Sequence, residues 1–250
     1  MPKRTFKLTA MVASKDNIYL YDEALADFVF DDNVAAVFTD MINRSVPGYA
    51  LMVRLIAIIA ARYAKADTNL YDLGCSLGAV SFLLRQLELP GSRVIGVDNS
   101  AAMLERCENY MQQGSGLAYE LRCEDVQITD LQNASVVVLN FTLQFIAPAQ
   151  RDALIARIYL ALNPGGVLIV SEKVVFDEAD KQELFVELHH RFKQANGYSE
   201  MEISRKRLAI ENVLIPETVE SHRQRFKAAG FTQVELWCQC FNFVSLFAVK

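Results

Sequence analysis

The stretch Asn69-Leu-Tyr-Asp-Leu-Gly-Cys-Ser-Leu-Gly78 decides the architecture of this chain. It is apolar and β-prone at first, meets an acid at Asp72 and glycines at Gly74 and Gly78, and opens a helical apolar pattern at Leu77. Strand, glycine turn and helix N-terminus in that order form the place where an α/β sheet receives an adenosine-containing ligand. Twenty residues beyond Gly78, Arg93-Val-Ile-Gly-Val-Asp98 reads as a second strand ending in a carboxylate. Asp98 can there accept both hydroxyls of a ribose, each charge-assisted bond being worth about 1.5–3 kcal/mol.

The turn departs from G-x-G-x-x-G, whose second glycine lets the backbone approach a pyrophosphate. Here Cys75 and Ser76 fill its middle, and Asp72 stands two residues before Gly74. A carboxylate beside the loop repels a pyrophosphate and attracts an ammonium or a sulfonium. The pattern D-x-G-x-x-x-G followed by Asp98 resembles the signature of S-adenosylmethionine-binding Rossmann-like proteins. Read without a ligand, the same residues are a tight strand-to-helix turn.

At 250 residues and 52% hydrophobic content, the chain can bury the core of one α/β domain. A net charge of −5 suits phosphate neutralisation poorly, so no direct nucleic-acid binding is expected. No stretch reaches the roughly 18–20 apolar residues of a membrane helix; the nearest, Leu51 to Ala61, is interrupted by Arg54, and no membrane partner is expected. Lys3, Arg4, Lys7 and Lys15 precede no continuous apolar segment, so a signal peptide is not expected. Cysteines 75, 107, 123, 238 and 240 lack C-x-x-C spacing and suit reduced thiols in a cytoplasmic protein.

Residues 1–28 have weak periodicity and are expected to form a flexible tail, with residues 29–250 a single domain. From Asp31 to Tyr63 apolar residues recur at helical spacing in two helices parted by Ser45-Val-Pro-Gly48, ahead of the sheet where they can cap its ligand edge. Then come strand 69–73, helix 77–88, strand 93–98, helix 100–113 with Ser100 as N-cap, and strands near 117–123 and 135–140. Pro148 marks the first turn of a helix whose apolar stripe is Leu154, Ile155, Ile158 and Leu162. Asn163-Pro-Gly-Gly166 reads as its stop, leading into the buried-type strand Val167-Leu-Ile-Val-Ser171. Thr218 caps a helix closing at Gly230, and strands near 232–238 and 241–249 finish the chain. The pattern predicts an α/β, Rossmann-like methyltransferase fold: a seven-stranded, mainly parallel sheet with helices on both faces, N-terminal helices and a helical insertion at about 174–216. The last two strands must pair as an antiparallel hairpin, because parallel neighbours need a long crossover.

Ligands on such a sheet lie beyond the carboxyl ends of its strands, near the switch point. That rule selects Gly74, Cys75 and Ser76 after the first strand, Asp98 and Asn99 after the second, Asp125 and Val126 after the third, and Asn140 at the end of the fourth. Asp125 can accept from an adenine amino group, the Val126 N–H can donate to a ring nitrogen, and Asn140 would sit below an amino-acid moiety or sulfonium. Each is also readable as an ordinary polar residue closing a strand. His189 and His190 point about 100° apart on a helix, so a solvated or capping role is expected and no metal site. Cys238 and Cys240 share a strand face and read as packing, and Arg205-Lys206-Arg207 reads as a solvated helix face. No residue order marks a nucleophile with its base, and no catalytic side chain is assigned.

Longer strings carry a narrower likeness. Arg44-Ser-Val-Pro-Gly-Tyr49, Tyr71 to Gly78, Val138-Leu-Asn-Phe-Thr-Leu-Gln-Phe145, and Leu162-Asn-Pro-Gly-Gly166 with Ser171-Glu-Lys173 resemble the carboxy-S-adenosyl-L-methionine synthase family. So do Ala195-Asn-Gly-Tyr-Ser-Glu200, Glu235-Leu-Trp237 and Gln239-Cys-Phe-Asn-Phe243, and the likeness covers about residues 30–250.

The resemblance implies a homodimeric enzyme that converts S-adenosyl-L-methionine and prephenate into carboxy-S-adenosyl-L-methionine and phenylpyruvate. The product would pass to a separate tRNA carboxymethyltransferase acting on 5-hydroxyuridine at the wobble position. It implies further that Tyr49, Gly74, Cys75, Ser76, Asp98, Asn99, Asp125, Val126, Asn140 and Arg207 contact the sulfonium ligand. Arg207 thereby gains a role that spacing does not give it, a guanidinium meeting the added carboxylate through two parallel hydrogen bonds. Prephenate would supply both carbon dioxide and a base as its ring becomes aromatic, so the site need only exclude water and hold two substrates together. Composition and loop equally allow an ordinary S-adenosylmethionine-dependent small-molecule methyltransferase. A non-catalytic carrier of an adenosyl ligand is the alternative of another class.

Overall fold

The computed structural model describes residues 14–18, 29–211 and 213–250, and at its centre lies the fully buried strand Asn69–Leu73 (β1). Two helices precede it, Asp32–Ser45 (α1) and Tyr49–Tyr63 (α2). Asp31 caps the first by accepting the Val34 N–H at 2.9 Å, and left-handed Gly48 (φ 77°) turns the chain into the second. Ala79–Arg85 (α3), Arg93–Asp98 (β2), Ala101–Gln112 (α4) and Ala118–Cys123 (β3) follow. Next come Ala134–Asn140 (β4), Pro148–Ala161 (α5) and Leu162–Lys173 (β5). The insertion is helical, as expected, with Ala179–Ala195 (α6) and Glu200–Glu211 (α7). Val219–Ala229 (α8), Gln233–Cys240 (β6) and Phe243–Val249 (β7) complete the chain.

The sheet order is β3-β2-β1-β4-β5-β7-β6. The first five strands are parallel, and β7 lies antiparallel between β5 and β6. Strand order reverses at β1 and β4, which makes their carboxyl ends the switch point. Side-chain alternation sorts the core into two layers. Val136 and Val138 of β4 pack with Val167 and Ile169 of β5 against α2, α3 and α4. Val137, Leu139, Leu168 and Val170 face the other way, onto α5 and α8. Helices therefore cover both faces of a Rossmann-like, seven-stranded sheet.

Caps fall where the sequence puts them. Ser100 Oγ accepts the Met103 N–H at 3.2 Å, Thr218 Oγ1 accepts the Ser221 N–H at 3.1 Å, and Pro148 opens α5. Two boundaries differ. Helix α3 spans 79–85 rather than the expected 77–88; at its start Gly78 (φ 82°) is left-handed, so helical geometry cannot begin before Ala79. Strand β5 begins at Leu162 rather than after Gly166, since Leu162 already pairs with Ala134. The sheet absorbs Asn163-Pro-Gly-Gly166 as a register shift, with Gly165 at φ 75°.

The flexible tail expected over residues 1–28 lies outside the described residues, apart from 14–18. There Asp16 is buried; its N–H donates to Asp40 Oδ2 at 2.8 Å, and its carboxylate accepts from the Tyr198 hydroxyl and Lys206 Nζ. No single described helix is long and apolar enough to cross a membrane.

Candidate functional site

The carboxyl ends of β1, β2, β4 and β5 open into a cavity of about 370 Å³. The glycine turn is its floor. A side chain on Gly74 (φ 78°) would run into Thr142, whose Oγ1 donates to the Leu73 carbonyl at 2.8 Å, so both conformation and space require glycine there. The N–H groups of Gly74 and Cys75 donate to the Val97 carbonyl at 2.8 and 3.0 Å, tying the turn to β2. Ser76 N–H donates to Asp98 Oδ2 at 2.8 Å, and Ser100 N–H donates to Oδ1 at 2.9 Å. The Asp98 carboxylate is thus fixed at the end of β2 with lone pairs to spare. Burial raises its pKa, and the two N–H bonds oppose that rise. Asp72 accepts the Ser81 N–H at 2.9 Å and its Oγ–H at 2.6 Å, fastening α3 to β1, while burial pushes the carboxyl up to about 6.

Asp125 closes a turn by accepting the Gln127 N–H at 2.8 Å, and the Val126 N–H beside it finds no acceptor among the described residues. Asn140 Oδ1 is buried without a hydrogen-bond partner. A buried acceptor facing a cavity points to a ligand that brings the donor. Aromatic walls enclose this end: Tyr49, the first residue of α2, packs on Phe141 at 6.2 Å between ring centroids, and Phe30 packs edge-on against Phe145 at 5.4 Å. Burial, reinforced by Asp72, raises the Tyr49 pKa and keeps its hydroxyl protonated.

The opposite end is basic. Lys173 closes β5, and α6 and α7 bring Lys193 and Lys206 to the same wall. Lys206 is 6% exposed and held by Ser45 Oγ at 2.9 Å, the Tyr198 hydroxyl at 3.3 Å and Asp16 Oδ2 at 3.4 Å. Burial takes it down to about 8 against the pull of Asp16. Lys193 is 9% exposed; burial, then the charges of Lys206, Lys173 and Arg207, push it down to about 7. His189 is neutral, depressed to about 2 by burial, and its Nε2–H donates to the Ser45 carbonyl at 2.8 Å. It caps the last turn of α1.

Nine of the ten expected contact residues surround this one cavity: Tyr49, Gly74, Cys75, Ser76, Asp98, Asn99, Asp125, Val126 and Asn140. Arg207 is exposed on α7 and does not line it, although its charge reaches Lys193. The reading of Arg205-Lys206-Arg207 as a solvated face needs correcting at its middle residue, which Asp16 holds inside. Thr142, Lys173 and Lys193 escaped the sequence reading. The one signal for Lys193 is its position four residues after His189, which sets both on one face of α6. All five cysteines are free thiols, and a hydrogen bond with Cys107, then burial, raises the Cys75 pKa. Among the described residues, no three His, Cys, Asp or Glu side chains are arranged to hold a metal.

The description "Methyltransferase domain" belongs to the family model that matches residues 70–166. The chain is 54% identical over 246 residues to a carboxy-S-adenosyl-L-methionine synthase of Trichlorobacter lovleyi, covering 96% of this chain and 100% of that protein. It is 51% identical to the protein of that name from Aliivibrio fischeri, with the same coverage of 96% and 100%. The chain belongs to the carboxy-S-adenosyl-L-methionine synthase family. Among solved structures, magnesium protoporphyrin IX methyltransferase from Synechocystis PCC 6803 with bound SAH superposes with a TM-score of 0.56 at 17% identity, over 81% of this chain and 83% of that one. At that identity the likeness concerns the fold alone, so the synthase family shares its sheet with methyltransferases of other substrates.

Proposed function

We propose that this chain converts S-adenosyl-L-methionine and prephenate into carboxy-S-adenosyl-L-methionine and phenylpyruvate. The observation that carries the reading is near-full-length identity to synthases of that name. The residues around the cavity fit an adenosyl sulfonium. Asp98 would take the ribose hydroxyls, Asp125 and the Val126 N–H the adenine edge, and the orphaned Asn140 Oδ1 the amino-acid moiety. Such a ligand, when bound, supplies C–H bonds acidified by the neighbouring positive sulfur. Prephenate loses carbon dioxide and hydroxide as its ring becomes aromatic; the carbon dioxide forms the new carbon–carbon bond and the hydroxide carries off the displaced proton as water. What the chain's own residues contribute is position and exclusion of water. Arg207 would meet the added carboxylate from the rim. A homodimer, a cytoplasmic location and hand-over of the product to a tRNA carboxymethyltransferase complete the proposal.

The test is mass spectrometry of ligand extracted from purified protein, followed by incubation with S-adenosyl-L-methionine and prephenate. The proposal expects a ligand heavier than S-adenosyl-L-methionine by one carbon dioxide unit, and release of phenylpyruvate on turnover. The heavier ligand without phenylpyruvate would identify a carrier. Methyl transfer to a small acceptor without either would identify an ordinary methyltransferase.

A further inference from the structure

The cavity is electrically divided. Asp72, Asp98 and Asp125 line it near the ends of β1, β2 and β3, whereas Lys173, Lys193 and Lys206 line it where β5, α6 and α7 meet. Lys206 has a carboxylate in Asp16 at 3.4 Å. Lys193 has none among the described residues, although it is 9% exposed. The charges acting on it are those of Lys206, Lys173 and Arg207, all of its own sign. His189, four residues earlier, offers no compensation, because it is neutral and its Nε2–H is committed to the Ser45 carbonyl. A buried ammonium among like charges is unfavourable unless an anion joins it. The adenosyl sulfonium cannot be that partner at its cationic end, which belongs with the carboxylates of the opposite wall.

We propose that Lys193, with Lys173 beside it, forms an anion subsite for the second substrate, a small organic diacid, and grips the carboxylate that survives the reaction. This rests on the functional reading above and deepens it. The choice between the acid's two carboxylates follows from electrostatics. An ammonium paired with a carboxylate stabilises it against loss of carbon dioxide, so the anchored group must be the spectator, the pyruvyl carboxylate, and the departing one must face away from the lysines. The product keeps the anchored group, so phenylpyruvate should compete with prephenate for the subsite.

The experiment is steady-state kinetics of Lys193→Met, Lys193→Arg and Lys173→Gln with prephenate varied, together with calorimetric titration of S-adenosyl-L-methionine and of phenylpyruvate. Lys193→Met should raise KM for prephenate about 10- to 100-fold, the range of a lost charge-assisted hydrogen bond. It should weaken phenylpyruvate in parallel and leave the affinity for S-adenosyl-L-methionine unchanged. Lys193→Arg should recover most of the loss, and Lys173→Gln should show a smaller effect of the same kind. Methionine keeps the length of the buried stem and removes an unpaired charge, so the variant should melt no lower than wild type. An unchanged KM, or an equal loss of S-adenosyl-L-methionine affinity, overturns the subsite while leaving the functional reading intact. If wild type releases no phenylpyruvate, the functional reading fails. Phenylpyruvate binding to wild type but not to Lys193→Met would still support the subsite, and equal binding would overturn it.

Discussion

Asp16→Asn removes one charge and almost no volume from the contact that fastens α7 to the start of the chain. Asp16 is 1% exposed and Lys206 6% exposed, so the pair is shielded from water. Breaking a buried ion pair typically costs about 3–5 kcal/mol, but Lys206 can limit the damage by shedding its proton. With its folded pKa at about 8, protonation at pH 7 stabilises the native state by only about 1.4 kcal/mol, and that is the most the lysine can lose. The Tyr198 hydroxyl would exchange a charged acceptor for a neutral one, worth about 1 kcal/mol more. The expected loss is therefore about 2–3 kcal/mol at pH 7, or roughly 5–10 °C in Tm for a chain of this length. The pH dependence has a definite sign. Lys206 titrates near 8 when folded and near 10.4 when unfolded, so between those values the unfolded chain holds the extra proton and stability gained from this group rises with pH. Above pH 8 the amine is neutral in both folded proteins, and the lysine's share of the deficit vanishes. Thermal melts of both proteins should show the deficit falling to about 1 kcal/mol at pH 9. An equal deficit at pH 7 and pH 9, or none at pH 7, would refute this account.

Three further substitutions address the adenosyl end and the rim. Gly74→Ala must hold a left-handed φ of 78° and push its Cβ into Thr142, so denaturant unfolding should show a loss of about 2–4 kcal/mol, relieved only in part by adding Thr142→Ala. Asp98→Ala removes the acceptor proposed for the two ribose hydroxyls and should weaken S-adenosyl-L-methionine by about 100-fold or more in calorimetric titration. The deficit should disappear with an analogue lacking both hydroxyls. Arg207→Ala should lower the preference for carboxy-S-adenosyl-L-methionine over S-adenosyl-L-methionine by less than about fivefold, because an exposed ion pair contributes about 0–1 kcal/mol. A loss of about 100-fold would mean that a second chain covers Arg207.

The residues easiest to read in the sequence are those whose positions follow from strand polarity. Once Asn69–Leu73 is a parallel strand at a switch point, the next strand ends, Asp98 and Asn140, must face the same cleft whatever the loops do. Ser76 was harder. Its left-handed backbone belongs to no propensity rule, and left-handed Gly78, two residues on, sets the start of α3 at Ala79 rather than Leu77. Asn163-Pro-Gly-Gly166 reads locally as punctuation, yet pairing of Leu162 with Ala134 draws the segment into the sheet. The lysines were least legible. A helical lysine ordinarily points to water, and Lys206 is buried where Asp16, 190 residues away, meets it together with Ser45 and Tyr198. Lys193 depends likewise on how α6 packs against α1 and α7.

That distribution bears on what separates this site from a methyl-transferring one. The match to the general methyltransferase domain ends at residue 166, and it contains the glycine turn, Asp98, Asp125 and Asn140. Every one of those groups suits a sulfonium nucleoside irrespective of what happens to its methyl group. Lys173, Lys193 and Lys206 all lie beyond residue 166, on the last residue of β5 and on the insertion helices. A methyl donor needs only a nucleophile near its methyl carbon, and positive charge without a carboxylate partner, such as that of buried Lys193, would serve such a site badly by standing beside a cation. Charge of that sign suits a site that must hold an anion. On the proposed reading, the shared part of the fold would select the adenosyl ligand, and Lys173 with the insertion helices would be the part to change when the second substrate is to be changed.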